Sequence, residues 1–166
     1  MSRVVVIGSG IAGLFAALRL DNAGHDVVII TKQRPKDSST NWAQGGIAGI
    51  LDKTDGEGKE AHIADTLACG DGMCDEAVVR LVVEEAGDRI RDLLDVGVEF
   101  EKEGDGFHFV KEGGHTARRI LHAKDATGAE IERALTEAIS NSKRITMRPH
   151  PLGVDLIQRE HGNPNK

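Results

Sequence analysis

Three glycines near the N-terminus constrain the fold of this chain more than any other feature of the sequence. A continuous run of β-branched residues at 4–7 predicts a strand that is buried on both faces, as in a parallel sheet. Gly8, Gly10 and Gly13 follow at once, and an apolar stripe of helical period begins among them. Residues 26–31 predict a second strand. A Gly-x-Gly-x-x-Gly pattern within such a strand–turn–helix–strand unit indicates dinucleotide binding, and a glycine-rich turn in an ordinary α/β unit is the alternative.

Each glycine in this pattern has its own physical purpose. Gly8 makes the tight turn, Gly10 lets the backbone approach a pyrophosphate, and Gly13 lets the helix pack close to the strand. The helix N-terminus offers N–H groups and a positive dipole end to phosphates. Thr31 and Lys32 stand where an acidic residue that binds the adenosine ribose is usual. This departure argues against NAD as the ligand more than it argues against dinucleotides in general.

Composition excludes several classes of function. The chain has 166 residues, which is one domain in length, and a formal net charge of −6 with only five aromatic residues. This balance disfavours nucleic-acid and anionic-membrane partners. No apolar stretch reaches the ~20 residues of a membrane span, and no signal-peptide pattern is present, so we expect a cytoplasmic protein. Cys69 and Cys74 provide neither a disulfide framework nor a four-cysteine metal site, and we predict two reduced thiols and no metal.

A second segment, at residues 38–50, gathers small and polar side chains around Trp42 and ends in two adjacent glycines. Loops of this kind are usually functional or disordered, and the tryptophan with two isoleucines argues against disorder. Residues 52–60 are polar and glycine-containing, and they predict a mobile surface excursion.

The string STNWAQGGI in this segment resembles the second flavin-binding segment of a known flavoprotein family. That family contains L-aspartate oxidase and the flavoprotein subunits of succinate dehydrogenase and fumarate reductase. The resemblance implies an α/β fold, a Rossmann-like FAD-binding domain of the glutathione-reductase type. The residues it implies for FAD binding are Gly8, Ser9, Gly10, Ile11, Ala12, Gly13, Lys32, Ser39, Thr40, Asn41, Trp42, Ala43, Gln44, Gly45 and Gly46.

One position separates the branches of the family. The respiratory dehydrogenases carry a histidine just before the threonine of this segment, and the flavin is covalently attached to it. This chain has Ser39 at that position. The resemblance therefore implies non-covalent FAD and points to the L-aspartate oxidase branch.

The second half of the chain has a coarser pattern of helices and short strands. The sequence predicts a helix that is capped by Asp71 or Asp75 and carries an apolar stripe at 78–83, and then a further apolar stripe at 90–96 that ends at Gly97. It next predicts a short strand at 98–101, a hairpin turn at 104–106 and a return strand at 107–110. A helix that begins at Thr127 and Gly128 and two strands, at 145–148 and 152–158, complete the predicted elements.

Polar side chains are dense around Glu112. This carboxylate is followed by two glycines and then by His115, Arg118, Arg119 and His122, which can form a cationic site with one carboxylate. Such a site suits a dicarboxylate that also carries an ammonium group, and a charged surface turn is the alternative. The string EGGHTARRILHAKDATG resembles the corresponding segment of the oxidase branch. The resemblance implies that Glu112 is the catalytic-site residue that orients the substrate amino group, which succinate lacks.

The resemblance implies a flavoenzyme that oxidises L-aspartate to iminoaspartate, with oxygen or fumarate as acceptor, at the start of NAD biosynthesis. A functional coupling to quinolinate synthase is a further expectation from the resemblance. The resemblance spans nearly the whole chain but only the first part of a family member. We therefore expect residues 1–166 to be the N-terminal part of the FAD-binding domain, a truncated form that lacks the capping and C-terminal domains and the proton-accepting arginine. The alternatives are a soluble fumarate reductase or succinate dehydrogenase flavoprotein, and a non-catalytic flavin-binding module.

Overall fold

The computed structural model describes residues 1–151 and 153–155. Its regular elements, in chain order, are β1 (Arg3–Ile7), α1 (Ile11–Asn22), β2 (Asp26–Thr31), β3 (Ile47–Ala48), α2 (Gly56–Cys69), α3 (Glu76–Asp95), β4 (Lys102–Glu103), β5 (Gly106–Phe107), β6 (Phe109–Val110), β7 (Ile120–Leu121), α4 (Thr127–Ser140) and β8 (Ile145–Pro149).

A parallel three-stranded sheet forms one part of the fold, in the order β1–β2–β8. Val27 and Ile29 on the central strand are buried, because helices cover that face of the sheet. Leu14 of α1 and Leu135 of α4 are fully buried in the same core. The predicted strand–turn–helix–strand unit is confirmed, and β8 occupies the predicted strand at 145–148.

A second part of the fold consists of short antiparallel pairs. Strand β7 lies between β3 and β6, and β4 pairs with β5 around a turn in which Gly104 has a φ of +61°. The predicted hairpin is therefore present. Its predicted return strand at 107–110 is divided between two sheets, because the His108 N–H donates to the Glu101 carbonyl at the point between β5 and β6.

The predicted strand at 98–101 is wrong. Val98 and Phe100 are buried, which explains the alternating pattern, but their segment belongs to no sheet. The Val98 N–H donates to the Leu93 carbonyl and so closes the end of α3, while the Glu101 N–H donates to the His122 carbonyl. The alternating pattern at 98–101 therefore reflects the burial of two side chains and not the pairing of a strand.

The helices differ from prediction in two places. Residues 52–60 are not wholly a mobile excursion, because α2 begins at Gly56, where the Asp55 carboxylate accepts a hydrogen bond from the Gly58 N–H at 2.7 Å. The two predicted apolar stripes lie on the single helix α3. Asp75 is its cap and accepts from two backbone N–H groups, whereas Asp71 lies outside the helix with a φ of +44°.

The predicted strand at 152–158 falls mostly outside the described residues, and 153–155 form no strand. Cys69 and Cys74 are both free thiols in the structure. Within the described ranges, none of the helices combines the length and apolar character needed to cross a membrane.

Candidate functional site

The glycine-rich turn joins the carboxyl end of β1 to the N-terminus of α1. Gly8 has a φ of +111°, a conformation that other residues rarely adopt, and its N–H donates to the Ile30 carbonyl at 2.8 Å. Gly10 is the N-cap of α1 and has no side chain to bond to the helix, and no acidic residue lies in the first turn of this helix. The positive end of the helix is therefore available to an anion such as a pyrophosphate.

Gly13 and Gly10 are constrained by different neighbours. A Cβ at Gly13 would overlap the Gly8 carbonyl oxygen, so the helix packs against the turn at a distance that only glycine permits. A Cβ at Gly10 would lie 3.2 Å from Thr40 Oγ1. Gly10 itself has an ordinary extended backbone, with φ −75° and ψ 177°. Its small size, and not its backbone conformation, is what the turn requires.

Ser9 connects the turn to the end of β2. Its buried Oγ lies 2.7 Å from Thr31 Oγ1 and donates to the Pro35 carbonyl at 3.2 Å. The Thr31 hydroxyl is therefore engaged inside the protein, and exposed Lys32 is the next side chain along that could meet a ribose or a phosphate. The hydrogen bond fixes the turn against the second strand.

The loop at 38–46 lies between the N-termini of α1 and α4. Thr40 Oγ1 accepts a hydrogen bond from the Ile11 N–H at 3.0 Å. On the other side, the Gly128 N–H donates to the Ala43 carbonyl at 3.0 Å, and a Cβ at Gly128 would overlap the Thr40 carbonyl oxygen. The structure thus brings together the two segments that the sequence predicts for cofactor binding.

Most side chains of this loop are exposed. Trp42 is 73% exposed, and Ser39, Ala43 and Gln44 are exposed beside it. A Cβ at Gly45 would meet nothing within 4 Å. An exposed polar loop with a large aromatic side chain, next to a helix N-terminus that has no acidic residue in its first turn, fits a flavin dinucleotide, which presents a planar ring system and a pyrophosphate.

Ser38 and Glu132 hold the start of the loop and were missed by the sequence analysis. Ser38 Oγ donates to Glu132 Oε2 at 3.0 Å and accepts from the Asn41 N–H at 3.2 Å. Glu132 is 1% exposed, and burial raises the pKa of its carboxyl. The sequence contained a signal for Glu132, because this carboxyl lies three residues before Leu135, on the apolar face of the predicted helix. A charged side chain on such a face is expected to be buried with a partner.

Glu112 reaches the far end of the loop through His122. Strands β3 and β7 pair Ile47 with Leu121, so His122 lies against Gly46, where a Cβ would be 2.7 Å from His122 Nε2. His122 Nε2 is 2.8 Å from Glu112 Oε1, although the two groups are not aligned as a hydrogen bond. A cavity of about 370 Å³ opens beside them, and its lining includes Glu101, Val110, Glu112, His122, Lys124 and Asp125.

The side chains of Arg119 and His115, two of the other basic residues predicted near Glu112, do not join its carboxylate. The Arg119 side chain is 1% exposed and forms an ion pair with Asp65 of α2 at 2.6 Å. His115 Nδ1 lies 3.1 Å from Arg119 Nη1. The predicted cationic site is therefore incorrect for these two residues, because burial of Arg119 requires the carboxylate of Asp65 as its counter-ion.

The cluster around Asp65 shifts the protonation of its members. The Thr116 N–H and the Arg119 guanidinium hold the pKa of Asp65 well below its usual range. Burial, with the positive charge of Arg119, lowers the pKa of His62, whose ring centroid is 5.4 Å from that of His115. A larger cavity, of about 500 Å³ and lined in part by Phe100 and Ala129, lies away from the glycine-rich turn.

The chain is similar to curated L-aspartate oxidases over nearly its whole length. It is 45% identical over 158 residues to the chloroplastic L-aspartate oxidase of Arabidopsis thaliana, covering 95% of this chain and 24% of that protein. It is 46% identical over 161 residues to the L-aspartate oxidase of Streptomyces coelicolor, covering 96% of this chain and 27% of that protein. The chain thus spans about a quarter of the length of these relatives and matches their N-terminal FAD-binding region.

Solved structures that include a fumarate reductase and an Sdh1 complex share the fold. A quinol-fumarate reductase with menaquinol molecules superposes with a TM-score of 0.80 at 27% identity, covering 90% of this chain and 27% of that chain. The Mycobacterium smegmatis Sdh1 complex in the apo form superposes with a TM-score of 0.79 at 30% identity, covering 89% of this chain and 28% of that chain. Residues 3–163 match the family model described as FAD binding domain. The chain therefore belongs to the FAD-binding domain family, and its cofactor is FAD.

Proposed function

We propose that this chain is the N-terminal FAD-binding part of an L-aspartate oxidase, which oxidises L-aspartate to iminoaspartate with oxygen or fumarate as electron acceptor. The observation that carries the proposal is the placement of Glu112, whose carboxylate lies 2.8 Å from His122 Nε2 while His122 lies against Gly46. A carboxylate at the end of a flavin loop is suited to an ammonium group on the substrate.

The cofactor residues in this proposal are those of the turn and the loop. The N-terminus of α1 binds the pyrophosphate, and the side chains from Ser39 to Gln44, most of them exposed, lie along the flavin. The parallel β1–α1–β2 unit supports a glutathione-reductase-type Rossmann fold. Ser39 supports non-covalent binding, because a serine hydroxyl does not replace the imidazole that forms the covalent link. FAD, when bound, supplies the redox chemistry, and this chain binds and orients the reactants.

Glu112 has the role of orienting the substrate in this proposal. Its side chain is 45% exposed and faces the cavity that His122 and Lys124 also line. An ammonium group bound there would hold the Cα of L-aspartate in a fixed orientation towards the flavin. We expect the capping segment and the proton-accepting arginine to lie beyond residue 166, so the 166-residue chain by itself should turn over L-aspartate poorly or not at all.

A soluble fumarate reductase or succinate dehydrogenase flavoprotein is the second candidate. The structural similarity to those flavoproteins favours it, whereas Ser39 and Glu112 favour the oxidase. A non-catalytic flavin-binding module is the third. The coupling to quinolinate synthase remains a prediction. The cytoplasmic location remains one too, because the relatives include both bacterial and chloroplastic proteins.

The cofactor part of the proposal is tested by an absorbance spectrum of the purified chain after addition of FAD and removal of the excess. Acid precipitation should release the flavin to the supernatant. Flavin in the pellet would contradict the role of Ser39 and favour the respiratory branch. A colourless protein would mean that residues 1–166 do not hold FAD by themselves, and the spectrum would then be recorded on the full-length protein.

The substrate part is tested with the full-length protein. We expect production of hydrogen peroxide that depends on L-aspartate and not on succinate, and we expect Glu112→Gln to raise the KM for L-aspartate. Oxidation of succinate at a higher rate would support the second candidate. Peroxide production from L-aspartate by residues 1–166 alone would contradict the requirement for a capping segment.

A further inference from the structure

The turn that carries Glu112 is held from outside by helix α2. This turn, residues 111–118, connects β6 to β7. The Thr116 N–H and the Thr116 hydroxyl both donate to Asp65 Oδ2, at 2.7 and 2.8 Å. Asp65 lies on α2. Among the described residues, no hydrogen bond joins this helix to the glycine-rich turn or to the loop at 38–46. The Asp65 carboxylate therefore holds the Glu112 turn in place and does not bond to the cofactor segments.

Arg119 completes the anchor at the base of the turn. Its Nη1 donates to the same oxygen of Asp65 at 2.6 Å, and its backbone N–H donates to the Val110 carbonyl at 3.3 Å across the turn. One carboxylate oxygen thus accepts three hydrogen bonds from residues 116 and 119. Charge-assisted hydrogen bonds of this kind are among the strongest in proteins, and here they are shielded, since the side chains of Asp65 and Arg119 are 10% and 1% exposed.

A second contact from α2 brings it close to the turn. Gly114 has a φ of +83°, and a Cβ there would lie 2.7 Å from Cys69 Sγ. Cys69 lies four residues after Asp65 and so on the same face of α2. Two positions of one helix face therefore define where the backbone of the turn lies.

Glu112 depends on this anchor because it has little support of its own. Among the described residues, its carboxylate has one polar side-chain contact, His122. His122 directly follows strand β7 and its carbonyl accepts from the Glu101 N–H at 2.8 Å, whereas the position of Glu112 follows from the turn. A shift of the turn by about 1 Å would misplace the carboxylate relative to a bound ammonium group, and misplacements of that size can cost ~10²-fold in rate.

We propose that Asp65 is a positioning residue for recognition of the substrate amino group: through Thr116 and Arg119 it fixes the turn that presents the Glu112 carboxylate. The inference rests on the proposed function, because it takes Glu112 as the group that binds the ammonium. It assigns substrate specificity to a residue of α2 that contacts neither substrate nor cofactor.

The test uses the full-length, FAD-loaded enzyme and two reactions. Asp65→Asn keeps an acceptor for Thr116 but removes the negative charge that pairs with Arg119. We expect the KM for L-aspartate to rise ~10-fold or more, as for loss of a charged hydrogen bond. The KM for fumarate, which has no amino group, should change far less when fumarate is reduced with benzyl viologen as electron donor. An equal loss in both reactions, or in bound FAD, would make Asp65 merely structural and overturn the proposal.

Comparison with Glu112→Gln separates the two hypotheses. In the Glu112→Gln enzyme, adding Asp65→Asn should not raise the KM for L-aspartate further, because the positioned group is already neutral. If Glu112→Gln itself leaves that KM unchanged, the proposed function fails. If Glu112→Gln raises it and Asp65→Asn does not, the positioning role alone fails.

Two further variants keep the test decisive. Thr116→Val removes only the hydroxyl that donates to Asp65, so it perturbs folding less, and it should raise the KM for L-aspartate selectively by a smaller factor. An effect that is absent or equal for the two substrates would overturn the proposal even if Asp65→Asn does not fold. Asp88→Asn is the matched control, because Asp88 forms an exposed ion pair with Lys53 at 2.8 Å and should leave both reactions unchanged.

Discussion

Thr40 Oγ1 accepts a hydrogen bond from the Ile11 N–H at 3.0 Å, so the loop at 38–46 binds the first backbone donor of helix α1. The two residues are 29 positions apart and come from the two segments that the sequence assigns to FAD. The contact makes the helix end and the loop one continuous surface. It also means that changes in the loop should alter the phosphate end of the site.

Thr40→Val should weaken FAD binding, because it leaves the Ile11 N–H without its acceptor and frees the loop from the helix. Loss of a side chain that bonds a helix N-terminal N–H typically costs ~1 kcal/mol. Titration with FAD can be followed through Trp42, the single tryptophan of the chain, which lies in the same loop. Thr40→Ser retains the hydroxyl and should bind FAD like the parent. Equal affinities for the two variants would contradict the role of Thr40 Oγ1.

Gly10→Val should abolish FAD binding while the fold is largely kept. The backbone at Gly10 has a φ of −75°, which valine adopts without strain, but its side chain would crowd Thr40 Oγ1 and the space in front of the α1 N-terminus. The measurements are flavin content and far-UV circular dichroism. Gly56→Ala is the control, because a Cβ at Gly56 meets nothing within 4 Å. Unchanged flavin content in Gly10→Val would refute the assignment of the turn.

Gly13→Ala should instead destabilise the protein as a whole. Its Cβ would overlap the backbone carbonyl of Gly8, and backbone cannot move aside as a flexible side chain can. Overpacking of this kind typically costs ~1–3 kcal/mol. We expect a lower Tm with or without FAD, and Ala16→Ser, at an exposed position on the same helix, should change the Tm far less. A normal Tm for Gly13→Ala would mean that the helix and strand are not packed as described.

Glu132 should make the stability of the protein depend on pH. Burial raises the pKa of Glu132 in the folded state above its ordinary 4.5. The folded protein therefore holds this proton more tightly than the unfolded chain, and the resulting stability is full below pH 4.5 and is lost as the pH rises through the folded-state pKa. Glu132→Gln keeps a hydrogen-bond acceptor for Ser38 and does not titrate.

The measurement is the free energy of unfolding by urea at pH 5 and at pH 8. The decrease between these values should be smaller for Glu132→Gln than for the parent. Glu137→Gln, an exposed position on the same helix, should behave like the parent apart from loss of its surface ion pair with Arg133. Parallel pH curves for the parent and Glu132→Gln would show that the buried carboxyl does not have a raised pKa.

The sequence by itself determined the elements that depend on short windows of chain. The β-branched run before Gly8, the glycine spacing and the apolar period of α1 together specify the β1–α1–β2 unit, since each expresses a local backbone preference. The same is true of the β4–β5 hairpin around Gly104 and of α4. The loop at 38–46 and Glu112 could be identified as site candidates from their residues and from the family resemblance.

Only the tertiary structure decided which distant side chains meet. Val98 and Phe100 alternate like a strand because they are buried, yet in the described part of the chain they belong to no strand. Arg119 pairs with Asp65, 54 residues earlier, and this pairing removes it from the basic group that its sequence position suggests. The pairing depends on how α2 packs against the turn, and no short window of sequence contains that information. Local patterns therefore predicted the elements, and packing between elements decided which charges face the site.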